Sequence, residues 1–305
     1  MAFEQQPLNY AKQYAKELAN AYPYLNYFGE IYASANSTKY RPVSGNTVMI
    51  PSLEVSGAKA VNRDSINGQF SRNFNNAYQP AEMSMYREWD TIVDPMDIVE
   101  TNDVATIANV TKTFNELQKM PEMAAYCASK LAGYAAANDN VDSEALSAEN
   151  ILEKWDEYLA EMADARINRD RLIAYVTPQT YKLLKEATGM TRFIEVTNGI
   201  RDVDRNIAKL DGVVVKEVPS DIMKSAFDFT EGFVAEDDAQ QVNLLLVDPD
   251  ATVAPIVYDV SMVTPPSAAT KGKWVYYESF YYDVFNLSQR VKGIKANMSE
   301  APASV

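Results

Sequence analysis

Apolar residues recur every three or four positions between Val104 and Tyr134: Val104, Ile107, Val110, Phe114 and Leu117, then Met123, Cys127, Leu131 and Tyr134. That spacing predicts the longest helix in the chain, with Asn102 and Asp103 as its N-cap and acidic first turn. Pro121 falls inside the pattern, so a kink is expected there, or a second helix opening at its first position. Ala124, Ala125, Ala128, Ala132 and Ala135 keep the second half thin enough for close packing.

Shorter patterns flank this helix. Tyr10, Tyr14, Leu18, Ala21 and Leu25 share one helical face and predict a short amphipathic arm. Thr47 to Val55 reads as a strand, which Pro51 restricts to an edge or an irregular position. Ser56 to Ala77 is polar and asparagine-rich, and Tyr78 to Val93 is extended again. Residues 46–93 therefore predict a long two-stranded excursion with a polar tip, which cannot bury itself and needs a partner.

After the long helix, the polar stretch 138–150 reads as a linker. Leu152, Trp155, Leu159 and Met162 then mark another helical face. Leu172 to Val176 reads as a strand, and Thr177-Pro178 as the cap of a helix that Gly189 ends. Val213 to Val218 and Asn243 to Val247 predict strands, Ser220 the cap of a short helix, and Trp274 to Val291 a long tyrosine-rich extended stretch. Helices and strands mix without an internal repeat, which points to an α+β fold.

Composition narrows the function classes. Hydrophobic residues at 47% support a packed core, and no apolar run approaches the length of a membrane span. No basic stretch leads into an apolar run near Met1, so no secretory signal is expected. The Asn-x-Ser/Thr sequons at Asn36, Asn109, Asn286 and Asn297 are accordingly read as chance matches. Cys127 is the sole cysteine and histidine is absent, which removes internal disulfides, histidine-based nucleophile chemistry and histidine-ligated metal. A net charge of -14 opposes a phosphate-binding footprint. The only Gly-Lys is Gly272-Lys273, followed by Trp274, so there is no phosphate-cradling loop. No catalytic, cofactor or metal site is expected.

Five strings, in order, resemble the Hong Kong 97-like major capsid family of tailed phages. They are DTIVDPMDIVETN (Asp90 to Asn102), MPEMAAYCASKLA (Met120 to Ala132), LDGVVVKEVPSD (Leu210 to Asp221), NLLLVDPDATVAP (Asn243 to Pro255) and YYDVFNLSQRVKGIKAN (Tyr281 to Asn297). The resemblance spans residues 45 to 297. It implies an N-terminal arm over 1–45, an extended loop over 46–93 that lies on a neighbouring subunit, and a peripheral domain from 94–138 with 273–297. An axial domain would occupy 139–272 and a C-terminal tail 298–305, and the long helix would be the family's spine helix.

The function implied is a structural head protein, not an enzyme, that assembles with itself into pentamers and hexamers of an icosahedral shell. Such a shell encloses double-stranded DNA without sequence-specific binding. A portal protein is an implied partner, with separate scaffolding or decoration proteins as further ones; the location is the virion, after assembly in the bacterial cytoplasm. The long helical N-terminal extension that acts as a fused scaffold in the type member is not found here, so a separate scaffold or none is expected. The type member also forms lysine-to-asparagine links; Lys59 is the only lysine between residues 46 and 90, and no string identifies an acceptor.

Candidate subunit contacts follow from the resemblance. Lys59, Arg63, Arg72 and Arg87 would pair with Asp94, Asp97, Glu100 and Asp103 of a neighbour, against the competing reading of solvated surface charge, since an exposed pair contributes only about 0–1 kcal/mol. Ile66, Phe70 and Phe74 would be apolar anchors on that neighbour, or else a local cluster under the loop. Tyr276, Tyr277, Tyr281 and Tyr282 lack interleaved basic residues and read as sheet interior with half-buried hydroxyls. Cys127 reads as an inert core residue. Two alternatives remain: an encapsulin-like shell that stores cargo, and an acidic hydrolase using Asp97 with Glu100 or Asp248 with Asp250, pairs more commonly found as turns and caps.

Overall fold

The computed structural model describes residues 26–39, 42–44, 47–57, 74–101, 103, 105–187, 194–197, 200–203 and 207–299. The expected helix at Tyr10 to Leu25 and the tip residues Lys59, Arg63, Ile66, Phe70 and Arg72 lie outside them, as do Asn102, Val104 and Gly189.

In chain order the elements begin with helices α1 (Gly29–Tyr32) and α2 (Ala35–Lys39), then strands β1 (Pro42–Ser44), β2 (Thr47–Val55), β3 (Phe74–Glu82) and β4 (Met85–Val93). Helices α3 (Pro95–Glu100), α4 (Ile107–Phe114) and α5 (Met120–Ala137) follow, the last two joined by a π turn, Asn115–Lys119. Next come β5 (Val141–Asp142), α6 (Ile151–Asp164), β6 (Ile173–Val176), α7 (Pro178–Glu186), β7 (Ile194–Thr197), β8 (Ile200–Val203), β9 (Lys209–Leu210) and β10 (Val213–Glu217). The chain continues with β11 (Phe227–Asp228), β12 (Val234–Ala235), β13 (Val242–Val247), β14 (Thr252–Val253), β15 (Ile256–Thr264), β16 (Trp274–Tyr282), β17 (Phe285–Asn286) and β18 (Ile294–Met298).

The π turn explains how the spine helix tolerates Pro121. Proline has no N–H and its ring clashes with the carbonyl four residues back, so a straight α-helix breaks there. Widening the preceding turn to π geometry relieves the clash, and Pro121 then sits in the first turn of α5, as the sequence predicts. The helix starts later than expected, at a Thr106 cap whose side chain accepts from the Asn109 N–H. Asp103 lies outside it with φ of 66°.

A six-stranded sheet in the order β5-β18-β13-β6-β10-β9 forms the centre. Its strands alternate between two cores, as the period of two demands. Ile173, Tyr175, Leu245 and Ile294 pack toward α5, while Ala174, Val176, Val215 and Leu246 pack toward α6 and α7. Thr177 caps α7 through the Thr180 N–H, with Pro178 in its first turn. Phe28 and Ile31 are fully buried in the α5 core, and the Tyr32 hydroxyl donates to the Met123 carbonyl at 3.0 Å. Residues 28–37, at the end of the expected N-terminal arm, are thus clipped into the body.

A second sheet, β15-β16-β4, lies under the first half of the spine helix. The pairing corrects several expectations. The sequence joins 78–93 to the excursion, yet β4 pairs along its whole length with the distant β16, from Met85↔Tyr282 to Val93↔Trp274. Strand β18, expected to close the peripheral unit, sits in the central sheet because it pairs with β13 and four of its five residues are buried. The long extended stretch from Trp274 ends at Tyr282, and Ser220 stands in a turn with no helix after it.

Candidate subunit-contact arm and its anchorage

Strands β2 and β3 form a hairpin with an unbroken register from Thr47↔Glu82 to Val55↔Phe74. Opposed residues in an antiparallel pair project to the same side, so the hairpin has two distinct faces. One carries Val48 and Ile50, buried at the root with Met83 against Val257, Tyr281, Phe285 and Leu287. Toward the tip this face turns polar, through Ser52, Glu54, Asn75 and Gln79. The other face carries Met49, Pro51, Leu53, Val55, Tyr78 and Pro80, with Leu53 60%, Val55 70% and Tyr78 62% exposed. Among the described residues none covers that stripe. Phe74, expected as an anchor, is exposed at the outer end of the same face. Sequence reasoning places the anchors in the tip and passes over this stripe. Its signal is present: Met49, Pro51, Leu53 and Val55 alternate with Ser52 and Glu54 once the root is passed.

The arm is anchored where β4 and β16 meet the spine helix, and that seam is polar. Arg87 on β4 approaches Glu122 on α5 with Nε–Oε1 at 2.7 Å and Nη2–Oε2 at 3.0 Å, and its Nη1 donates to the Phe229 carbonyl. The pairing corrects the expectation that Arg87 reaches an acid of a neighbour: its charge is engaged inside its own chain. Burial pushes the Glu122 carboxyl above the ordinary glutamate range, with Arg87 opposing the shift. Lys119 pairs with the buried Glu278, which also accepts from the Tyr276 hydroxyl at 2.8 Å. Asp283, 1% exposed, accepts from the Tyr126 hydroxyl at 2.7 Å, the Ser84 N–H at 2.8 Å and the Val284 N–H at 2.7 Å. Helix positions 119, 122 and 126 thus make three polar contacts along one face, and Phe114 stacks on Trp89 with ring centroids 3.9 Å apart.

The acidic candidates gather around α3, at the far end of β4. Asp94 caps that helix by accepting from the Met96 N–H at 2.9 Å, and Lys273 lies 3.8 Å from it. Asp97 is in the first turn, Glu100 is the last helical residue, and Asp103 follows with its carbonyl accepting from Asn109. No residue of α3 is buried, and Met96 and Val99 are exposed. Asp97 and Glu100 do not converge on a cleft. Asp248 caps the turn after β13 by accepting from the Asp250 N–H, burial raises its carboxyl pKa, and Asp250 pairs with Arg171. Asp248 and Asp250 therefore serve as a cap and an ion-pair partner, while Asp97 and Glu100 stand in the first turn and at the last position of a short helix with no buried residue. Cys127 is fully buried, and burial raises its thiol pKa far above the usual range. Among the described residues no group of histidine, cysteine, aspartate or glutamate is placed to hold a metal, and no helix is long and apolar enough to cross a membrane.

No protein-family model and no curated protein matches the sequence. Solved structures do match. The mature capsid of bacteriophage PhiM1 is similar with a TM-score of 0.67 at 12% identity, covering 95% of this chain and 91% of that one. A structure from Gordonia phage Cozz gives a TM-score of 0.63 at 9% identity, covering 96% and 92%. The capsid of cyanophage P-SCSP1u gives 0.60 at 12%, covering 96% and 94%. The spine helix, the arm and the two sheets are thus parts of one known architecture: the chain has the Hong Kong 97-like fold of phage capsid structures.

Proposed function

We propose that this chain is a major capsid protein that assembles with itself, as pentamers and hexamers, into an icosahedral head enclosing double-stranded DNA. The observation that carries the reading is the arm. A two-stranded hairpin is marginal alone in water, and this one holds an apolar stripe away from its own body. A second copy supplies the missing surface. Closure of a shell then multiplies weak contacts, because each subunit must break several at once to leave. Capsid similarity over nearly the whole chain supports the same reading and does not favour the cargo-storing shell. The virion location, a portal protein, scaffolding and decoration partners, and pairing of the α3 acids with arm cations of a neighbour belong to this proposal.

The test is expression of the full chain followed by sedimentation and electron microscopy. Closed shells are expected. Replacing residues 53–76, the outer half of the hairpin, with a short glycine turn is expected to leave a soluble subunit with unchanged thermal unfolding and no shells; normal particles from that variant would refute the role given to the arm.

A further inference from the structure

We infer that the arm docks face-on against a second copy of this chain, with each of its strand edges interrupted by a proline; this rests on the reading above. The β2–β3 ladder holds two prolines without a break, Pro51 opposite Tyr78 and Pro80 opposite Met49. Proline has no N–H, so a continuous antiparallel ladder accepts it only at pairs whose N–H groups point away from the partner strand. The two pairs stand two residues apart on each strand and therefore share that phase. Pro51 leaves a gap in the donors along the outer edge of β2, and Pro80 leaves one along the outer edge of β3. Strand β1 uses the β2 edge only at Thr47 and Val48, and Pro51 stands just beyond it. An added strand would lose a hydrogen bond midway along the β2 edge and another near the root of the β3 edge, a device by which edge strands resist pairing.

A face remains for docking. The side with Val48 and Ile50 is spent on the body of its own subunit. The opposite side carries no formal charge from Met49 to Val55 on β2 or from Phe74 to Pro80 on β3. In a chain of net charge -14, an uncharged surface is where two copies meet without repulsion.

The experiment uses the full chain, with shells scored by sedimentation and electron microscopy and subunit integrity by thermal unfolding. The pair Leu53→Lys with Tyr78→Lys is expected to abolish shells while leaving unfolding unchanged. Asn75→Lys places the same charge on the other side of β3, opposite Glu54, and is expected to leave shell yield unchanged. Pro51→Thr with Pro80→Thr reopens both edges and is expected to divert subunits into irregular, thioflavin-binding aggregates. Normal shells from the lysine pair, or an equal loss of shells in Asn75→Lys with unfolding unchanged, overturns face-on docking. Absence of shells from the unaltered chain refutes the capsid reading itself, and the inference falls with it.

Discussion

In the seam under the spine helix, Glu122, Glu278 and Asp283 are buried carboxylates; in the arm, Leu53, Val55 and Tyr78 are apolar side chains held in solvent. The two regions depart from the usual partition in opposite directions, and each departure has a local cause. The seam buries charge because each acid meets a partner within hydrogen-bond reach, so helix and sheet are fixed in one register. The arm exposes an apolar stripe that no described residue covers, and in the proposed function its complement lies on a second copy. Stability of the body is thus settled within the chain, and on the proposed function that of the arm is settled in the assembly.

The largest expected effect strikes the seam. Glu122→Ala leaves the half-hidden Arg87 guanidinium without its carboxylate and is expected to cost about 3–5 kcal/mol by denaturant unfolding. Replacing both residues with methionine is expected to recover most of that loss, and a double variant as unstable as the single one would show that the pair is not a unit. Next, Leu131→Ala in the α5 core is expected to cost about 2–4 kcal/mol. The same change at Leu53, on the arm, should alter subunit stability by less than about 0.5 kcal/mol while lowering shell yield. Equal losses in unfolding at both sites would erase the distinction between the regions.

Smaller effects separate parts of the body. The α4 half of the spine helix contains no buried residue, whereas α5 buries eleven. Amide exchange in the isolated subunit is expected to be faster over 107–118 than over 123–135. Uniform protection would place α4 in the same cooperative unit as α5. The smallest effect concerns pH. Because the folded Glu122 has its pKa raised, there is a window above the ordinary glutamate range where the folded chain keeps a proton that the unfolded chain has lost. The contribution of Glu122 therefore weakens as pH rises through that window, opposite to an acid whose pKa is depressed. Stability of Glu122→Gln relative to the parent is expected to rise across it, and a flat difference would contradict the shift.

Local patterns predict local structure. The spine helix follows from its periodicity, α7 from Thr177-Pro178, and the central strands from Val213 to Val215 and Leu244 to Val247. Asp94-Pro95 carries the same cap signal as Thr177-Pro178, yet α3 is a helix of only six residues, none of them buried. Strand β15 escapes the sequence reading because its pattern is mixed and its partner, β16, fixes it only after a turn. Pairings such as Arg87 with Glu122, or β4 with β16, join residues far apart in sequence, and no local pattern encodes them. In the arm, the sequence suggests a partner-seeking excursion, but the side that seeks it becomes visible only once the β2–β3 register is known.

The π turn at Asn115–Lys119 makes the spine helix sensitive to length as well as to composition. One extra residue in a turn resets helical phase by about 100°, which lets Phe114 face Trp89 while α5 faces the central sheet. Excising a single residue from that turn would regularise the backbone and swing Phe114 off its stacking partner. Substitutions along this helix can then be absorbed one side chain at a time, whereas a one-codon deletion would misalign everything upstream of it at once.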